Sequence, residues 1–359
     1  MRLRMISTLL AGAVVLTTTA GFTTRPEPEW RLHDTGATVR LRGLAAVSER
    51  VAWASGTAGT VLRTVDGGRH WQQVGPADTS LELRDIEAFD ADHAVALSIG
   101  PGEQSRVYRT DNGGRTWTET FRNTDERAFY DCLAFFDRHH GLALSDPVDG
   151  RFRILSTSDG GRTWRPLPTT GMPPALEGEF AFAASGTCLV TAAHQSPGRS
   201  SGRGDDQAWF ATGGGATARV FRTDDRGRTW RVTSTPVPSG PSAGIYSLAF
   251  RDSRHGIALG GDYNTPASAP DGAATSRDGG RDWTVARNQP GEYRSGSAWV
   301  HRAGWLALAV GPTGSDLSLD GGTRWQRFDS GSFDSVDCTT GGACWASGVQ
   351  GRIASLRWH

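Results

Sequence analysis

The sequence contains no lysine, although other charged residues are plentiful. All 38 basic residues among its 359 are arginines, and 38 acidic residues balance them to a formal net charge of zero. Without lysine, the chain cannot form a Schiff base or place a P-loop lysine on a phosphate. Zero net charge argues against electrostatic capture of nucleic acid or an anionic membrane. We therefore expect no nucleic-acid partner.

Membrane spans and cofactor motifs are also missing. Beyond the N-terminus, no stretch approaches the ~18 apolar residues of a membrane helix. There is no GxGxxG after a predicted strand, no CxxC, and no histidine cluster with ligand spacing. The pair His139–His140 lies in a predicted turn. We expect no membrane span, no metal and no cofactor.

The N-terminus has the pattern of a secretory signal peptide. Arg2 and Arg4 precede an apolar run over 5–16, and small residues follow up to Ala20. We predict a signal peptide over 1–20 and an exported mature chain, periplasmic or extracellular, that is a monomer.

Cysteine is scarce, with four residues in the chain. Cys338 and Cys344 flank the turn-like TTGGA, and export favours a disulfide across that loop. Cys132 and Cys188 are expected to be buried thiols, with a bond between them as the less favoured alternative.

One motif recurs six times, and TSDGGRTW at 157–164 is typical of it. Its tryptophans are spaced by 46, 47, 66, 53 and 42 residues. A period of about 45 with short strands indicates a propeller or solenoid. The six tryptophans are Trp71, Trp117, Trp164, Trp230, Trp283 and Trp325.

Each repeat predicts four short antiparallel strands, which make one propeller blade. A seventh set of three strands ends the chain without a box, and the segment at Trp30 resembles the strands that follow the other boxes. We therefore predict an all-β fold, a seven-bladed β-propeller that forms a single domain over 21–359. Residues 30–35 should close the ring against the C-terminal strands.

The boxes match the Asp-box, or BNR, pattern S/T-x-D-x-G-x-T-W, and the mature chain resembles the BNR propellers of the photosystem II stability/assembly factor family. The phrases AFYDCLAFFD, GIYSLAFRD and GGDY resemble its exported bacterial branch, whose members often carry the label "oxidoreductase". Departures are local: Asn112 replaces the box acid, and His70, Asp282 and Arg324 replace the usual threonine.

We interpret the boxes as structural. The acid can accept backbone N–H groups within a hairpin turn, glycine permits positive φ, and the tryptophan packs on the blade. A calcium or phosphate site is the alternative, but DxDxDG spacing is absent and no helix follows. The acid position is occupied by Asp66, Asn112, Asp159, Asp225, Asp278 and Asp320.

The loops between second and third strands are predicted to be long in blades 2 to 5, at 98–106, 145–151, 194–218 and 261–273. Such an asymmetric rim favours a binding surface, and tolerated insertion is the alternative. Asp146, Asp262 and Tyr263 are its candidate ligand-binding residues.

A gapless alignment of the first strands gives one polar position per blade at the channel mouth. Arg42, Arg84 and Arg294 could bind a carboxylate or acidic sugar beside Asp334, because arginine forks pair with carboxylates. A merely solvated channel is the other reading. The aligned residues are Arg42, Arg84, Tyr130, Glu179, Tyr246, Arg294 and Asp334.

Three functions follow from these patterns. The resemblance favours a binding or assembly-assisting propeller, with an unknown protein partner or an acidic or carbohydrate ligand. A sialidase-like glycoside hydrolase would use Glu179, Tyr246 and Asp131, but the usual FRIP phrase is missing. An oxidoreductase is the second alternative, and no cofactor motif supports it.

Overall fold

The computed structural model describes residues 27–192 and 206–359. The predicted signal peptide and the first part of the stretch 194–218 lie outside the described residues. Within them, the chain forms seven four-stranded antiparallel sheets, each built from consecutive strands except for the last. The prediction of a seven-bladed propeller is confirmed.

The strands of blades 1 to 3 follow the chain order, from the innermost strand to the outermost. Blade 1 holds β2 (Leu41–Ala46), β3 (Ala52–Gly56), β4 (Val61–Thr64) and β5 (Gln72–Gln73). Blade 2 holds β6 (Leu83–Ala88), β7 (Ala94–Ser98), β8 (Arg106–Thr110) and β9 (Thr118–Arg122). Blade 3 holds β10 (Tyr130–Phe135), β11 (Gly141–Val148), β12 (Arg151–Thr157) and β13 (Arg165–Pro166).

Blades 4 to 6 repeat this order. Blade 4 holds β14 (Leu189–Thr191), β15 (Ala208–Ala211), β16 (Arg219–Thr223) and β17 (Arg231–Ser234). Blade 5 holds β18 (Ala243–Phe250), β19 (Gly256–Asp262), β20 (Ala273–Ser276) and β21 (Thr284–Val285). Blade 6 holds β22 (Gly296–Trp299), β23 (Ala307–Gly311), β24 (Gly314–Ser318) and β25 (Gln326–Asp329).

Blade 7 joins the two ends of the chain, as predicted. It holds β26 (Ser335–Cys338), β27 (Cys344–Ser347), β28 (Ile353–Trp358) and, as its outer strand, β1 (Pro28–His33). Trp30 is buried there, and its Nε1 donates to Ser315 Oγ of blade 6 at 3.0 Å. The ring is thus closed by non-covalent pairing of β1 with β28.

The boxes form compact turns between third and fourth strands. In the first box, Thr64 Oγ1 accepts the N–H of Gly68 at 2.9 Å, and Asp66 Oδ1 accepts the N–H of His70 at 3.0 Å. The two box glycines have φ of +79°, a left-handed conformation that glycine adopts without strain. The hydroxyl residue, whose role the sequence did not reveal, thus fixes the turn together with the acid. The same hydroxyl-to-glycine bond recurs at Thr110, Thr157, Thr223, Ser276 and Ser318.

Box tryptophans also connect neighbouring blades. Trp71 of blade 1 makes an edge-to-face contact with Trp345 of blade 7, and Trp117 of blade 2 makes one with Trp53 of blade 1. The indole Nε1 of Trp117 donates to the carbonyl of Val74. These contacts bury large apolar faces between the blades and hold the ring together.

Two disulfides are present. Cys338 and Cys344 are bonded, as expected from their loop. The expectation of buried thiols at Cys132 and Cys188 is wrong, because these residues form the second disulfide with a Cα–Cα distance of 6.1 Å. Cys132 lies in β10, and Cys188 directly precedes β14. The bond therefore joins the innermost strand of blade 3 to the residue before the innermost strand of blade 4, across a sequence separation of 56 residues.

Candidate binding site at the channel mouth

The inner strands carry a β-bulge near their start, at the channel mouth. Pairing skips one residue in blades 1, 2, 3 and 5, and the extra residues are Arg42, Arg84, Asp131 and Tyr246. In blade 7, Asp334 takes this position, since it and Ser335 both face Ser347. A β-bulge changes the direction of one side chain, so the bulge residues of these five blades form the ring of side chains at the mouth.

The bulges show that the alignment of first strands was wrong by one residue at two positions, Tyr130 and Arg294. Tyr130 is 4% exposed and packs on Phe121, with the neighbouring Asp131 in its place. Burial raises the pKa of Tyr130 to about 12. Arg294 is 1% exposed and pairs with Asp316 at 2.6 Å, away from the other ring arginines. A gapless alignment fails here because a bulge shifts the alternation of side chains.

Glu179 is not in an inner strand at all, since the inner strand of blade 4 begins at Leu189. Its buried carboxylate pairs with Arg219 and accepts the hydroxyl of Thr212 at 2.6 Å. The hydroxyl of Tyr246 donates instead to the carbonyl of Ser242 at 2.7 Å. The structure therefore does not join Tyr246 and Glu179 as a nucleophile pair.

Residues 180–187 follow Glu179, which the alignment placed in a first strand. They cross the channel instead, and we call this segment the plug. Ser185 Oγ donates to the carbonyl of Ser295 on blade 6, and Ser335 Oγ of blade 7 donates to the carbonyl of Ser185. On the opposite side, Arg84 of blade 2 donates to the carbonyl of Ala183 at 2.8 Å. The small residues of FAFAASGT allow this close crossing.

Three arginines cluster at the mouth, on blades 1 and 2. Arg40, which the alignment missed, binds both carboxylate oxygens of Asp334 at 2.8 and 2.6 Å. It lies two residues before Arg42, and a search for flanking arginines at this spacing would have found it. Arg84 donates to the plug and lies 3.5 Å from Glu82. Asp334 pairs with Arg40 and Glu82 with Arg84, so the three arginines exceed their paired carboxylates by one positive charge.

Arg42 is the one member whose guanidinium forms no hydrogen bond or ion pair within the described residues. Burial, followed by the charges of Arg84 and Arg40, lowers its pKa to about 10. It remains a cation at neutral pH, but a partly desolvated one without a direct ion-pair partner in the described part of the chain. Such a group gains more from binding an anion than a fully solvated arginine does.

An aromatic cluster borders these arginines over blades 4 to 6. Phe182 of the plug stacks on Tyr246 with 3.9 Å between ring centroids, and Tyr293 meets Tyr246 edge to face. Tyr263, which is 51% exposed, extends the cluster onto the rim. Burial raises the pKa of Tyr246 and of Tyr293, so both stay neutral phenols. The mouth thus combines cationic and aromatic surfaces.

The predicted rim needs two corrections. In blade 3, β11 and β12 extend to a turn at 149–150, so 145–151 is a protruding hairpin rather than a long loop. In blade 4, β15 occupies 208–211, so only 212–218 connects its second and third strands. The long connections of blades 2 and 5 are present, and Asp262 Oδ1 there accepts the N–H of Asn264.

Within residues 27–192 and 206–359, no group of three or more His, Cys, Asp or Glu side chains could hold a metal ion. Among the same residues, no helix is long and apolar enough to cross a membrane.

No protein-family model matches the sequence, and comparison with curated proteins gives no significant match. Solved structures do match. YCF48 bound to D1 peptide has a TM-score of 0.63 at 14% identity, and the match covers 94% of this chain and 98% of that one. The shared fold is a β-propeller.

Two further propellers are similar. YCF48 from Cyanidioschyzon merolae has a TM-score of 0.59 at 13% identity, covering 91% of this chain and 98% of that one. The GH74 xyloglucanase from Xanthomonas campestris has a TM-score of 0.64 at 17% identity, over 92% of this chain. This chain spans 55% of the xyloglucanase. At these identities, the likeness establishes the fold alone.

Proposed function

We propose that this propeller is an exported binding protein, which takes an acidic segment of a partner protein at the channel mouth and along the rim of blades 2 to 5. The observation that carries the proposal is Arg42, a partly desolvated cation with no partner within the described residues. It lies between two further arginines and beside an aromatic surface. A carboxylate could accept a bidentate pair from this guanidinium.

One of the similar structures supports a peptide in preference to a small molecule. YCF48, which has the same fold, binds a D1 peptide. The exposed ring of Tyr263 and the face of the aromatic cluster offer apolar contact next to the cations, as a peptide side chain beside a carboxylate would require. Catalysis by Glu179 is not favoured, because Arg219 and Thr212 already engage its carboxylate.

Fluorescence anisotropy with labelled acidic peptides tests the proposal, using pairs that end in a free carboxylate or in an amide. Arg42→Gln should weaken binding by about 10- to 100-fold, the loss expected for a charged hydrogen-bonded pair. Arg50→Gln is the matched control, since Arg50 is exposed on the same blade in the opposite β2–β3 turn. Unchanged binding in the Arg42 variant would overturn the proposal.

Asp334→Asn should change the affinity for peptides in the opposite direction. It removes the carboxylate that neutralises Arg40, so peptides should bind more tightly than to the wild type. Acidic sugars, tested in parallel by thermal shift, separate a carbohydrate ligand from a peptide. Binding of galacturonate or sialic acid without binding of any peptide would redirect the function to carbohydrate recognition.

A further inference from the structure

Two buried carboxylates lie beside the plug, on the first two strands of blade 3. Asp131 is 2% exposed, and its Oδ2 has no hydrogen-bond partner within the described residues. Asp146 accepts the N–H of Ala181, the second residue of the plug, at 2.8 Å. Neither carboxylate forms an ion pair in the described part of the chain. The pair therefore has no counter-ion, which is costly for buried charges.

Blade 3 holds the plug at both of its ends. Asp146 binds Ala181 near the start, and the Cys132–Cys188 disulfide fixes the residue that follows the plug. Asp131 directly precedes Cys132 in β10, so one carboxyl group is next to the disulfide and the other forms the attachment at Ala181. Between them, the carbonyl of Ala183 accepts from Arg84 of the arginine cluster.

The charged groups on the surrounding elements are engaged elsewhere. The plug itself has no charged residue. Asp85 of β6 accepts the N–H of Leu133, and Arg84 donates to the plug. On β12, Arg153 pairs with Asp125 and Arg151 donates to the carbonyl of Met172. Glu179 pairs with Arg219. None of these groups neutralises Asp131 or Asp146.

Two buried carboxyl groups without a counter-ion resist ionisation, and the charge of one makes ionisation of the other less favourable. Burial raises the pKa of Asp146 to about 7. Burial, followed by the charge of Asp146, raises the pKa of Asp131 well above its ordinary range. Asp146 therefore loses its proton first, near neutral pH, while Asp131 stays protonated.

We propose that Asp131 and Asp146 form a proton-operated latch on the plug. With both carboxyl groups protonated, the site carries no charge, Asp146 holds Ala181, and the plug stays seated across the channel. Loss of the Asp146 proton places a charge without a counter-ion in this buried site. The Ala181 N–H offsets only part of its cost, so the plug moves to let solvent reach the carboxylate and frees Arg84 from Ala183. The latch goes beyond the proposed binding function and does not depend on it, since it operates without a ligand.

Hydrogen exchange of the ligand-free protein tests the latch. A raised carboxyl pKa in the closed state means that the stabilisation is complete at low pH and is lost as the pH rises through about 7. After correction for intrinsic rates, the amides of the plug should exchange about tenfold faster at pH ~8.5 than at pH ~6. Asp146→Asn, which cannot ionise and keeps an oxygen for the Ala181 N–H, should abolish this dependence. Asp262→Asn, on the rim of blade 5, should retain it.

Infrared spectroscopy of the wild type gives a test that does not require a variant to fold. A protonated-carboxyl band should be present at pH ~6 and weaker by pH ~8.5, as Asp146 ionises. Absence of that band, equal pH dependence in Asp146→Asn, or exchange unchanged by pH would each overturn the latch. A bound cation would overturn it as well, and would be recognised by a change in plug exchange on adding calcium chloride or EDTA.

Discussion

The hydroxyl of Ser185, which belongs to blade 4, donates to the backbone carbonyl of Ser295 on blade 6 at 2.6 Å. A segment of one blade thus spans the channel and is hydrogen-bonded to blades on its other side. Propeller blades otherwise contact mainly their neighbours, so the plug adds cross-ring contacts that the repeat alone would lack. The following predictions test this arrangement and the pairs that support it.

Gly186→Ala should destabilise the protein more than a comparable glycine substitution elsewhere. Gly186 has φ +78°, and an added Cβ would lie 2.3 Å from Asp85 Oδ1. Gly291 has φ +74° with nothing within 4 Å of the added atom, so Gly291→Ala reports backbone strain alone. We expect about 1 kcal/mol of loss for Gly291→Ala and a further ~1–3 kcal/mol for Gly186→Ala in urea unfolding. Equal losses of stability in the two variants would mean that the plug accommodates the added methyl group at no cost.

The two disulfides should differ in their contribution to stability. Cross-linking removes more entropy from the unfolded chain when the closed loop is longer. The separations are 56 residues for Cys132–Cys188 and 6 for Cys338–Cys344. Replacing both cysteines of a pair by alanine should cost about 4 kcal/mol for the first and about 2 kcal/mol for the second. The measurement is guanidinium unfolding of the two double variants. A smaller cost for the interblade bond would contradict this order.

Glu179→Gln should destabilise the fold, because Glu179 pairs with Arg219 in the interior. Arg219 is 8% exposed, and loss of its carboxylate leaves a buried charge with weakened pairing. Breaking such a pair costs about 3–5 kcal/mol. The control is Asp149→Asn, which breaks an exposed pair with Arg127 and should cost about 0–1 kcal/mol. An unchanged unfolding midpoint for Glu179→Gln would contradict the structural role.

His33 should make ring closure sensitive to acid. Its Nδ1 donates to the carbonyl of Gly68 at 3.0 Å, so Nε2 accepts the hydroxyl of Ser355 at 2.9 Å. Protonation removes that acceptor, and burial lowers the pKa of His33 below its ordinary 6.5. The contribution to stability is therefore present above that ordinary value and is lost as the pH falls through the folded-state pKa.

Thermal unfolding at pH ~7.5 and pH ~5 measures this effect. The wild type should lose more stability on acidification than His33→Gln, which cannot be protonated. His139→Gln replaces an exposed turn histidine and should behave as the wild type does. If all three proteins lose stability equally, His33 does not control closure.

The candidate site was only partly predictable. Arg42, Arg84 and Asp334 were found from the sequence, since polar residues recur at one position of an apolar strand pattern. Tyr130 and Arg294 were placed one residue out, because the bulges that shift the alternation have no signature in a single sequence. Glu179 was wrongly aligned with the first strands, since the AFAASG that follows it has the composition of the true first strands. The structure shows instead that the innermost strand of blade 4 is β14, which begins at Leu189.

The sequence by itself determined the seven-bladed ring, because the boxes are local turns whose hydroxyl, acid and glycines bond within a few residues. It also determined the closure at Trp30, since a missing outer strand must be supplied from the other chain end. Only the tertiary structure decided which arginine lacks a partner, that Cys132 meets Cys188, and that blade 4 covers the channel. These features depend on contacts between residues far apart in the chain, where packing and electrostatics rather than local turn chemistry select the partner.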